Sequence, residues 1–115
     1  MKMDGKILIC SAEEGTRESL KQILADTYDM ILCEDVEQCL EIAKRVSIRV
    51  VILNSTLQNN VKEILNQLAT LKPSIKTYLI RGYKEKSQQQ EISSPLIAGY
   101  ITKPFKPEEV LSICK

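Results

Sequence analysis

An α/β domain built on a parallel sheet is predicted by three observations. Five short apolar runs, rich in β-branched residues, recur along the chain. Amphipathic segments with apolar residues three and four positions apart lie between them. The connections are short and carry turn or cap residues, so strands and helices alternate in the β-α order of a parallel sheet covered on both faces.

The first run, KILIC (6–10), is continuous enough for a strand buried on both faces. Thr16 is expected to cap the helix that follows, with Leu20, Ile23 and Leu24 on its inner face. YDMILC (28–33) forms the second strand. Asp35 and Gln38 make a capping-box pattern, opening a helix that turns Val36, Cys39, Leu40 and Ala43 inward. RVVILN (49–54) is the most β-like run. Val61, Ile64, Leu65, Leu68 and Leu71 mark a third helix, which Pro73 stops. KTYLIR (76–81) and AGYITK (98–103) are the fourth and fifth strands. Pro107 suits the first turn of a last helix keeping Val110, Leu111 and Cys114. The stretch between the last two strands is polar and interrupted by Pro95, so a fourth helix there is expected to be short or irregular. Short loops and right-handed crossovers then favour a flavodoxin-like doubly wound sheet of order 2-1-3-4-5. Its ligands bind at the carboxyl ends of the strands: Cys10–Glu14, Asn54–Thr56, Arg81–Gly82 and Lys103.

Composition narrows the function. The 115 residues fit one domain over 1–115, and 16 basic against 15 acidic residues argue against a nucleic-acid or membrane surface. No apolar run approaches the roughly 20 residues of a membrane span, and no export signal is evident, so a cytoplasmic protein with reduced thiols is expected. The chain has no histidine and no CxxC pair among its four cysteines, which argues against zinc and against His-based catalysis. The cysteines read as core residues. Cys10 and Cys33 end neighbouring strands, with a disulfide between them the less favoured alternative.

GYITKPF (99–105) is similar to the closing strand and Lys-Pro-Phe signature of the receiver domain of two-component response regulators. RVVILN resembles that family's phosphoacceptor strand, and KILICSAEE its first strand and acidic loop. The resemblance covers nearly the whole chain. It implies a phosphorelay module in which an Asp at the end of the third strand becomes an acyl phosphate. Mg²⁺, held by that Asp and an acidic pair, assists, and a Thr or Ser and a Lys bind the phosphoryl oxygens.

Carried over by position, the phosphoacceptor is Asn54, a neutral amide rather than an anionic nucleophile. The acidic pair falls on Ser11 and Ala12, with Glu13 and Glu14 displaced beyond it, and the Thr/Ser position holds Arg81. Lys103 is retained, as is Tyr100, at the position of the switch aromatic. A degenerate receiver, or pseudo-receiver, is therefore expected. It would not be an enzyme and would have weak or absent Mg²⁺ binding. Lys103 would bond the Asn54 oxygen or pair with Glu13 or Glu14. The implied partners are signalling proteins or a fused output or kinase domain, met through the face made by 84–96, Tyr100 and Lys103 to Cys114; a homodimer is also compatible. The short last helix suggests a piece of a longer regulator or kinase. Two rival readings stand beside this one. ICSAEEGT resembles the phosphocysteine loop of phosphotransferase-system IIB proteins, with Cys10 as nucleophile. Ser55 or Thr56 is an alternative phosphoacceptor.

Overall fold

Five parallel strands form one sheet in the order β2-β1-β3-β4-β5. The computed structural model describes residues 6–54, 61–81 and 96–114. Its elements are β1 (Lys6–Cys10), α1 (Glu14–Leu24), β2 (Asp29–Cys33), α2 (Val36–Arg45), β3 (Ile48–Asn54), α3 (Val61–Leu71), β4 (Lys76–Arg81), β5 (Ile97–Thr102) and a last helix, α4 (Pro107–Ile113). The expected helix over 84–96 lies, but for Leu96, outside the described residues, as do Ser55 and Thr56.

The near-continuous burial of β1 and β3 hides a period of two that only the layers reveal. Leu8, Cys10, Val51, Leu53 and Leu79 face α2 and α3, where Cys39, Ile64, Leu65 and Leu68 complete one core. Ile7, Ile9, Val50, Ile52 and Ile80 face the other way, against Leu20 and Leu24 of α1 and Val110 and Cys114. Both faces of the central strands are thus covered, as a parallel sheet requires.

Three local expectations are corrected. Thr16 does not cap α1: the helix begins at Glu14 with Glu13 at the cap position, and Thr16 sits buried in the first turn. Its hydroxyl donates to Glu13 Oε1 at 3.0 Å, so the short polar side chain stabilises the turn from inside. Leu71 ends α3 exposed, because the helix stops before its last apolar position can turn onto the core. Strand β5 ends at Thr102, so Lys103 lies just beyond the ladder, followed by a cis bond to Pro104. The box at α2 forms as expected on one side, with the Gln38 amide donating to Asp35 Oδ1 at 2.9 Å. The Gln38 side chain, however, accepts from the backbone of Glu34, one residue earlier than the standard box.

Arg49 ties α4 to the sheet. Its guanidinium donates to the carbonyl of Cys114, at the carboxyl end of α4, and stands 5.3 Å from the centre of the Tyr28 ring. A seven-residue helix is too short to persist alone, so this tether and the burial of Val110 hold it.

Candidate functional site

The carboxyl ends of β1 and β3 and the turn after β5 meet around one carboxylate. Ser11 follows β1 and is fully buried, its amide continuing the ladder to the Cys33 carbonyl at 3.0 Å. Its hydroxyl oxygen accepts from the Glu13 amide at 3.1 Å and from Asn54 Nδ2 at 3.0 Å. Ala12 is exposed on the turn and brings no polar group. Asn54, the last residue of β3, is 2% exposed. Its Nδ2 also donates to Glu13 Oε1 at 3.0 Å.

That same oxygen receives Lys103. The ammonium lies 2.7 Å from Glu13 Oε1, joining residues 90 positions apart. Of the partners expected for Lys103, the structure selects Glu13. One carboxylate oxygen therefore accepts from Lys103, Asn54 and Thr16 together. These donors, Lys103 first, hold the Glu13 carboxyl below its ordinary value. Beside the clamp an open groove of about 500 Å³ runs between the start of α1 and the Lys103–Phe105 turn.

Glu13 is the residue whose importance the sequence understates. It stands one position beyond the expected acidic pair, yet its longer side chain, at the mouth of α1, reaches back over Ser11 to the end of β3. The arrangement does not fit Mg²⁺. The group that Asn54 presents to Ser11 and Glu13 is an N–H donor, which cannot ligate a cation, and the carboxylate that Asn54 meets, that of Glu13, is already paired with Lys103.

The Glu13 clamp has a pH signature. A carboxyl depressed in the folded state contributes stability above its unfolded value of 4.5 and loses it as pH falls through the folded value. The pair is half exposed, so its contribution is about 1 kcal/mol or less. Glu13→Gln is expected to lower stability to urea at pH 7 by that small amount. The difference from the natural chain should shrink steadily as pH falls below 4.5; a difference that does not change with pH would contradict the clamp.

The remaining candidates fall as follows. Tyr100 is half-buried, in register with Leu79, and packs against the α2–α3 core. Arg81 ends β4 in register with Thr102; its side chain lies outside the described residues. Cys10, the nucleophile of the phosphocysteine reading, is fully buried, and its hydrogen bond to Cys33 with burial raises its thiol well above the ordinary value. A sealed, protonated thiol facing the core cannot meet a charged phosphoryl donor, which removes the geometry that reading needs. All four cysteines are free thiols, so Cys10 and Cys33 are not joined. Among the described residues no helix is long and apolar enough to cross a membrane.

A family model described as response regulator receiver domain matches residues 7–115. No curated protein matches the chain. Solved structures share the fold. An uncharacterized protein from Neptuniibacter caesariensis superposes with a TM-score of 0.82 at 20% identity, over 99% of this chain and 87% of the other. A CheY-like response regulator receiver domain protein from Methanospirillum hungatei gives 0.75 at 22% identity, over 96% and 91%. An adenylate cyclase from Rhodopirellula baltica gives 0.80 at 13% identity, over 96% and 84%.

Proposed function

Because the chain belongs to the response regulator receiver domain family of two-component systems, we propose that it is a receiver that works without Asp phosphorylation, as a protein-interaction module and not an enzyme. One observation carries this reading: the amide of Asn54 and the ammonium of Lys103 both donate to the carboxylate of Glu13. In the family those two positions serve the acyl phosphate. Here the nucleophile is absent, and the lysine is already paired within the chain. Arg81, at the position of the family's Thr or Ser, adds a permanent cation to the sequence of the pocket.

The chain then signals by contact, in the cytoplasm, with a signalling protein or a fused output or kinase domain. The contact surface is the one made by Tyr100 on β5, the turn from Lys103 and α4, continued by 84–96. The relatives give precedent for fusion, since a response regulator receiver modulated diguanylate cyclase from Pelobacter carbinolicus shares the fold at 22% identity.

The test is an amide NMR titration with Mg²⁺ and then beryllofluoride, which mimics a phosphoryl group on Asp. No shifts are expected at Asn54, Lys103 or Tyr100. Saturable shifts centred on those residues would overturn the reading.

A further inference from the structure

Three thiols that the clamp does not use meet under the carboxyl edge of the sheet. Cys10 ends β1 and Cys33 ends β2, and the parallel ladder sets them in register. Cys39 comes down on them from α2. The three sulfurs lie within 4.8 Å of one another, and all three residues are buried. The shell around them is apolar, with Leu8, Ala43 and Leu53 in the same cluster. The charges acting on Cys33 are Asp35 and Arg17, of opposite sign. The three thiols hydrogen-bond among themselves, so each already faces the space between them.

We propose that Cys10, Cys33 and Cys39 form a three-thiol site for trivalent arsenic or antimony, taken up as the neutral oxyacid. Thiolates select soft ions. A trivalent centre carries a lone pair, so its three sulfurs form a pyramid and, at about 2.3 Å from the centre, a typical metal–thiolate distance, lie roughly 3.4 Å apart. Sulfurs already within 4.8 Å of one another close on it by side-chain movement. Charge decides between the soft ions. Three thiolates around zinc leave one net negative charge, and around a cuprous ion two, in a shell whose described residues bring no surplus cation to offset it, since the Arg17 and Asp35 charges acting on Cys33 oppose each other. Burying such a charge costs several kcal/mol. Zinc also takes a fourth protein ligand in closed sites, and the chain has no histidine. A trivalent centre leaves no net charge.

The uptake balances without electron transfer. In arsenous acid three As–O bonds break and three As–S bonds form, and each thiol proton leaves with a hydroxyl as water. Access is through the β1–α1 and β2–α2 turns, one residue from Cys10 and Cys33. A local opening there admits a small uncharged oxyacid.

The experiment is titration of the reduced full chain with sodium arsenite, followed by native mass spectrometry, thiol alkylation and thermal unfolding. One arsenic per chain and a raised Tm are expected, and alkylation in urea, which exposes the buried thiols, should label Cys114 while the three arsenic-bound thiols stay protected. Cys114, in the other core, is the internal control, so Cys114→Ser should bind as the natural chain does. Cys39→Ala and Cys33→Ala should each weaken binding by about 100-fold or more, through loss of one arm of the chelate. Thermal unfolding without arsenite verifies that each variant folds; if Cys33→Ala does not, Cys39→Ala carries the test. No adduct on the natural chain, undiminished binding by folded Cys39→Ala, or zinc bound in preference to arsenite would each overturn the proposal.

Discussion

Asn54→Asp is expected to lower the free energy of unfolding by about 2–3 kcal/mol at pH 7, measured by urea denaturation. The substitution is nearly isosteric, so packing around this 2%-exposed side chain is preserved and the change is electrostatic. Nδ2 donates at 3.0 Å both to Ser11 Oγ and to Glu13 Oε1. An Asp oxygen in its place sets two carboxylates against each other, with one ammonium, that of Lys103, between them. A hydrogen bond to a charged acceptor contributes about 1.5–3 kcal/mol, and its replacement by repulsion at a buried site forfeits at least that. The loss should shrink as pH falls and the two carboxyls come to share a proton. Millimolar Mg²⁺ should also reduce it, because two convergent carboxylates are what that ion requires. A variant as stable as the natural chain at pH 7 would show that Asn54 and Glu13 do not meet.

Ile52→Ala is expected to cost more, about 3–4 kcal/mol in the same measurement. Ile52 is fully buried at the centre of β3, in register with Ile9 on one side and Tyr78 on the other. Its side chain belongs to the core shared by Leu20 and Leu24 of α1 and by Val110 and Cys114, so the cavity opens in the layer that the short last helix helps to cover. Hydrogen exchange in Pro107–Ile113 should therefore rise more than in α2 or α3, which pack on the opposite face. A loss below about 1 kcal/mol would mean that the site collapses freely and that α4 does not depend on it.

Together the two substitutions separate the roles of neighbouring β3 positions. Asn54 shapes the pocket chemistry at the strand's end. Ile52, two residues earlier on the same face, supports the helix proposed to meet a partner.

What the sequence by itself determined was local or periodic. The five apolar runs, the helical spacing of Leu20 with Leu24 and of Ile64 with Leu65 and Leu68, the cap at Asp35 and Pro107 at a helix start are set by neighbours within a turn or two. Chain chirality then leaves few ways to connect alternating strands and helices, so the sheet order followed. The identities of Asn54 at the end of β3 and of Lys103 just past β5 were equally legible, since each is read directly from the residue at a strand end. Thr16 misled because a Thr before an apolar helix face suits a cap as well as a buried first turn, and only the position of Glu13 distinguishes the two.

The tertiary structure decided which distant groups meet. Glu13, not Glu14, takes Lys103, and a single oxygen serves Lys103, Asn54 and Thr16. Cys10, Cys33 and Cys39 have no metal-binding spacing, yet their sulfurs converge. The physical reason is the same in both cases. Parallel register aligns the ends of strands that are far apart in sequence, and the helix following each strand returns its first turn to that edge. Residues brought together this way carry no shared periodicity, so their contact is fixed by crossover geometry and side-chain reach.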